Sequence, residues 1–210
     1  MAEAYAVTAA LLVVPLLAAE RRAHPARGPV KAAASSAFLA AAVAAGAFDS
    51  TFGRWVFAGL TLSWIGDVAL VSAQRRWFLA GLASFLLAHV AYVVAFAAAG
   101  AAWGWAGVAA ALLVIPGFAV GRWLWPRLPA GMHAPVAAYI VVISVMVAAA
   151  AGGAAGDAPR AVLPAAAAFY VSDLFVARDR FVAPGFTNRL AGLPLYYGAQ
   201  IVLALSTGMV

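Results

Sequence analysis

Cysteine is absent from this chain and charge is scarce. Without cysteine there is no disulfide and no thiolate metal site. Only 10% of the residues are charged, against roughly 25% in an average soluble domain, while 67% are hydrophobic. A core built from 210 residues cannot hide that much apolar surface from water, so the bilayer is the solvent that suits it. Histidine is nearly absent too. His24 and His133 read as loop residues and His89 lies within an apolar run, so no three-histidine zinc site assembles. Ser63, Ser72, Ser84 and Ser172 lack a GxSxG-type setting, and no glycine-rich phosphate loop occurs. The net charge of +6 does not point to nucleic acid, because the basic residues stand singly or in pairs at the ends of apolar runs and form no basic face. The start, Met1-Ala2-Glu3-Ala4-Tyr5, carries the wrong sign for a secretory leader, so the first apolar run is expected to be a retained span.

What is present is a series of apolar runs. Eight can span as helices: Ala4–Ala19, Val30–Phe48, Arg54–Ala73, Trp77–Ala99, Ala102–Val120, Ala134–Ala151, Arg160–Ala177 and Leu190–Gly208. The expected fold is an all-α membrane protein, a single integral membrane domain over residues 1–210. The connections after runs one, three, five and seven hold eleven of the thirteen basic residues. The positive-inside rule puts those loops in the cytoplasm of a bacterial-type cell and both termini outside. Trp55, Trp77, Trp103, Trp105, Trp123 and Trp125 stand near run ends, as an interfacial belt would. A hexapeptide echo, Gly66-Asp67-Val68-Ala69-Leu70-Val71 against Ser172-Asp173-Leu174-Phe175-Val176-Ala177, raises the expectation of a parallel four-plus-four duplication.

Polar groups inside the spans carry the functional signal, because hydrocarbon rejects them unless they have a task. Asp67, Asp173, His89, Tyr92, Tyr196, Tyr197 and Gln200 come from separate stretches, with Lys31 at the mouth of the second run. Counted along helices from the nearest basic residue, they fall in one slab toward the cytoplasmic half, with Asp67 deeper than Asp173. Phe85, His89 and Tyr92 share a helix face, as do Tyr196 and Gln200, and Tyr170 and Asp173. Two readings apply to each group. The aspartates, His89 and Gln200 can act in a site or simply join helices by hydrogen bonds, the tyrosines can act or simply pack, and Lys31 can be a plain topology charge. An Asp67–His89–Asp173 metal site is a further alternative. Two carboxyls in unlike surroundings suit acid–base work through an oxocarbenium-like state, one giving a proton and the other activating water or steadying the cation.

Gly66-Asp67 with Leu70, then Phe78, Gly81, Phe85, His89 and Tyr92, then Ser172-Asp173, then Tyr196-Tyr197 and Gln200 together resemble the YhhN-like lysoplasmalogenase family. One departure stands at Lys31, which is followed by Ala32 where the family tends to show proline. The resemblance implies eight membrane helices and hydrolysis of the vinyl-ether bond of a lysoplasmalogen, a lysophospholipid, to a fatty aldehyde and a glycerophospho-head-group. That chemistry needs no metal or organic cofactor. On that chemistry Asp67 or Asp173 is expected to donate the proton, Asp67 in the first place because it lies deeper and farther from cationic charge. His89 would orient a carboxyl. Tyr92, Tyr196 and Gln200 would hold water and the glycerol hydroxyl, Tyr197 and Ser172 would join them in binding the substrate, and Lys31 or a loop arginine would meet the phosphate. A small carrier or channel with a midplane polar site is the rival expectation, and a purely structural membrane protein the third.

Overall fold

A computed structural model describes residues 1–210. The chain forms eight α-helices and no strand. They are α1 (Ala2–Arg21), α2 (Arg27–Ala45), α3 (Thr51–Ala69), α4 (Arg75–Ala98), α5 (Trp103–Leu124), α6 (His133–Ala155), α7 (Val162–Phe181) and α8 (Phe186–Ser206), with short 3-10 turns after α5 and α8. Six of the eight are long and apolar enough to cross a membrane. The other two, α3 and α7, carry the aspartates expected to be functional, and arginines besides, which lowers their apolar content.

Short connections make consecutive helices neighbours, and the pairs α1–α2, α3–α4, α5–α6 and α7–α8 pack most closely. The central element is α8, which touches α1, α2, α3 and α7. By contrast, α5 leans chiefly on α6 and presents its remaining surface outward, burying only Ala106 and Leu124. Gly46 ends α2 in the left-handed region at φ 99°, where a side chain would be strained. Four residues on, the Ser50 side chain caps α3 by accepting from the Gly53 amide at 3.0 Å.

Glycine also sets how near α3 and α4 come. A Cβ on Gly59 would strike the Tyr92 ring, and one on Gly66 would lie 2.6 Å from the Phe85 ring. These two bare positions, two turns apart on α3, are the seats that hold Tyr92 and Phe85 of α4 inward. Phe85 then packs edge-on against Tyr196 of α8 and Phe169 of α7, at centroid distances of 5.8 and 6.1 Å. An aromatic wall therefore ties α4, α7 and α8 together beside the polar groups.

One expectation needs correction. Helix α7 does not stop at Ala177 but continues through Arg178 and Arg180 to Phe181, with both arginines in its last turn, where cationic side chains suit the helix C-terminus. Asp173 thus lies eight residues from its helix end, about 12 Å along the axis. Asp67 lies two residues from the end of α3, about 3 Å. The two echoed hexapeptides therefore occupy unlike places in their helices, so the echo does not extend to matching helix ends.

Candidate active site

Asp67 is buried and densely partnered. Ser35 of α2 and Tyr196 of α8 both donate to its Oδ2 at 2.6 Å. Lys31 Nζ pairs with Oδ1 at 3.0 Å, from a side chain only 13% exposed. Lys31 and Ser35 are i and i+4 on α2, so one helix face supplies both. A carboxylate that gains a cation and two hydroxyl donors is stabilised in its charged form where a lone one would be rejected. The expectation that Asp67 stands far from cationic charge is overturned by this pair; the sequence distance of 36 residues hid it because α2 and α3 pack side by side.

Asp173 is partnered more sparsely. Its Oδ2 accepts one hydrogen bond, from Tyr139 of α6 at 2.6 Å. No lysine or arginine lies within ion-pair distance: Arg178 instead donates to Asn188 at 2.5 Å, and Arg180 stacks over the Phe78 ring at 4.4 Å. His89 Nε2 is 3.9 Å from Asp173 Oδ2, beyond hydrogen-bond reach, and both ring nitrogens are buried without a partner. The imidazole is wedged between Phe169 and Tyr139 at centroid distances of 4.6 and 5.4 Å.

Both aspartates open on one cavity of about 310 Å³. Lys31, Tyr196, Ser172 and Tyr139 line it as well. Ser172 directs its hydroxyl to the Phe169 carbonyl at 2.7 Å, so that donor is occupied. Tyr170 also lines the cavity, one turn from Asp173, and its buried hydroxyl has no partner. Tyr92, Tyr197, Gln200 and His89 stand behind the wall rather than in it. Tyr92 donates to Gln200 Oε1 at 2.8 Å, Gln200 Nε2 donates to Tyr196 at 3.2 Å, and Tyr196 in turn holds Asp67. The Tyr197 hydroxyl lies 3.1 Å from that of Ser35 and 3.3 Å from the Lys31 carbonyl. No group of three or more potential ligands gathers to hold a metal ion, so the alternative in which Asp67, His89 and Asp173 share one has no geometric basis here.

The mouth of the cavity is charged. Arg189 of α8 bridges Glu20 of α1 at 3.1 Å and Asp179 of α7 at 3.2 Å. Arg27, one turn before Lys31, reaches the Val71 carbonyl at 3.5 Å and has no carboxylate partner. Ser35 and Tyr139 were missed by sequence reasoning. Ser35 could have been found as the i+4 neighbour of Lys31, whereas Tyr139 sits in an apolar run with nothing to mark it.

The family model described as the YhhN family matches residues 28–207. Among curated relatives, a Bos taurus protein named "Lysoplasmalogenase TMEM86A" is 31% identical over 159 residues, covering 72% of this chain and 64% of its own length. A Mycobacterium bovis protein named "Lysoplasmalogenase" is 32% identical over 180 residues, covering 81% of this chain and 66% of its own length. A Homo sapiens protein named "Lysoplasmalogenase TMEM86B" is 32% identical over 150 residues, 70% of this chain and 60% of its own. The matched stretch thus spans a little under two thirds of each of these relatives. No solved structure matches.

Proposed function

The chain belongs to the YhhN family, and from that premise we propose that it is an integral membrane hydrolase that cleaves the vinyl-ether bond of a lysoplasmalogen. The observation that carries this reading is the pair of aspartates on one buried cavity with opposite surroundings: Asp67 beside a lysine, Asp173 with no cation. That split suits one group to remain a carboxylate and the other to carry the mobile proton.

In this reading Asp173, not Asp67, is the donor. It delivers a proton to the alkenyl carbon remote from oxygen, and the π electrons form the new C–H bond. The positive charge spreads over the other carbon and the ether oxygen, facing the Asp67 carboxylate. Water adds to that carbon and passes a proton to Asp67, giving a hemiacetal. The hemiacetal hydroxyl returns its proton to Asp173 as the bond to the glycerol oxygen breaks, and that oxygen takes the proton from Asp67. Fatty aldehyde and glycerophospho-head-group leave, and both carboxyls end as they began. The free hydroxyl of Tyr170 is the seat for the attacking water, and Tyr196 fixes Asp67. Tyr92, Gln200 and Tyr197 act indirectly, by holding Tyr196 and Ser35. Arg27 meets the phosphate, since Lys31 is engaged by Asp67. The basic end of the bundle faces the cytoplasm of the inner membrane with both termini outside, a placement supported by the eleven-to-two distribution of basic residues.

The test is to incubate the purified protein with a lysoplasmalogen in heavy water and analyse the products by mass spectrometry. Aldehyde with one deuterium on the carbon next to the carbonyl is expected, because that carbon receives the enzyme-delivered proton. No aldehyde, with gradient-dependent uptake into proteoliposomes instead, would overturn the reading in favour of a carrier.

A further inference from the structure

The cavity shared by the aspartates measures about 310 Å³, at the lower edge of the range of about 300–1,000 Å³ for small-molecule sites. Its polar side has to hold a phosphate and a glycerol, so a long hydrocarbon chain needs room elsewhere. The charged groups that line it stand on α1, α2, α3, α7 and α8, whereas α4, α5 and α6 contribute no charged group to it and supply, among others, Leu82, Leu124, Val136 and Ile140.

Val136 and Ile140 also line a second hollow of about 440 Å³ between α5 and α6. These two side chains of α6 are the partition between the spaces. On α6 the hollow runs from Val136 to Val145, about 14 Å along the helix axis. Its one side-chain hydroxyl, on Ser144, is turned back to the Ile140 carbonyl at 2.7 Å. Its floor on α5 is bare at Gly117 and Gly121. A Cβ at Gly121 would meet nothing within 4 Å, and one at Gly117 would make only ordinary contacts at 3.7 Å. The groove therefore begins at the apolar residues Val136 and Ile140 of the cavity, is lined almost wholly by apolar side chains with the Trp125 indole at one end, and follows the least covered helix of the bundle.

We propose that the hydrocarbon chain of the lysolipid substrate leaves the reaction cavity sideways past Val136 and Ile140 and lies in the α5–α6 groove, which sets the chain-length preference. The inference rests on the lipid-hydrolase reading above. The occupant is the substrate's own chain rather than a bulk lipid, because a chain whose polar end is held in the adjoining cavity meets the groove at a high effective concentration.

Two measurements on the full-length protein test this. In the first, a lysophospholipid with a photoreactive diazirine at its chain end is cross-linked and the labelled residues are mapped, with a two-chain diazirine phospholipid as the bulk-lipid comparison. Labels concentrated between residues 110 and 145 for the lysolipid alone are expected; the same distribution for both probes would overturn the groove. This readout needs no turnover, so labelling of the groove without any vinyl-ether cleavage would leave the chain site standing and remove the hydrolase reading. In the second, Gly117→Leu and Gly121→Leu fill the groove without a backbone clash. Each should lower kcat/KM for a long-chain vinyl ether about tenfold, through lost burial of methylenes, and leave a short-chain one within about twofold. Gly107→Leu, on the same helix where a Cβ also meets nothing within 4 Å but outside the groove, should change neither. Equal losses on long and short chains, or an equal loss in Gly107→Leu, would overturn the proposal.

Discussion

The two ends of one cavity solve the same physical problem in different ways. At the Asp67 end, α2 and α8 surround a buried carboxylate with an ammonium and two hydroxyls, and a second layer of Gln200, Tyr92 and Tyr197 holds those donors in turn. At the Asp173 end, a single tyrosine supplies the only hydrogen bond, and the neighbouring imidazole and the hydroxyl of Tyr170 remain unpartnered. A fully satisfied buried polar network is rigid, whereas a partly satisfied one leaves polar groups open to a further partner. The contrast teaches where structure is invested and where chemistry is left open.

The largest expected effect attacks the crowded end. Lys31→Met leaves the buried Asp67 carboxylate without its cation, and should cost about 3–5 kcal/mol of stability, read by unfolding in detergent. Adding Asp67→Asn to that variant should recover much of the loss, since the uncompensated charge is then gone. Next comes the second layer. Gln200→Leu strands the Tyr92 hydroxyl and frees Tyr196, with an expected loss of about 1–2 kcal/mol. At the sparse end, Tyr139→Phe removes one hydrogen bond and should cost only about 0.6 kcal/mol, with a clearer fall in turnover than in stability. Smallest in stability is Tyr170→Phe. Its hydroxyl has no partner to lose, so the melting temperature should hold or rise slightly, while aldehyde release should fall about tenfold if that hydroxyl seats the water. A Tyr139→Phe loss as large as that of Lys31→Met would erase the contrast between the two ends.

The helices were legible from the apolar runs and from the placement of arginines between them, and the polar set was legible because charge inside hydrocarbon is conspicuous. Partnership was not. Ser35 is a neutral hydroxyl in an alanine-rich run, and only its one-turn spacing from Lys31 marks it. Tyr139 comes from a helix that otherwise reads as uninterrupted hydrocarbon. The surroundings of the two aspartates were misjudged because charge was counted along the sequence, which hid the Lys31–Asp67 pair between α2 and α3. The end of α7 was also placed too early, because Arg178 and Arg180 were read as a connection and instead form its last turn. His89 illustrates the other limit. Its spacing put it correctly on the inward face of α4 with Phe85 and Tyr92, and its burial follows. Helical spacing sets direction but not distance, and the final separation of 3.9 Å from Asp173 depends on how Phe169 and Tyr139 pack around the ring.

The most direct test of the division of labour is turnover of lysoplasmalogen by the purified Asp67→Asn and Asp173→Asn variants beside the parent protein, with thermal melting recorded for each. The account predicts that both lose at least about a hundredfold in aldehyde release, and that Asp173→Asn melts close to the parent while Asp67→Asn, left with an unpaired Lys31, does not. Parental turnover in both variants would contradict it.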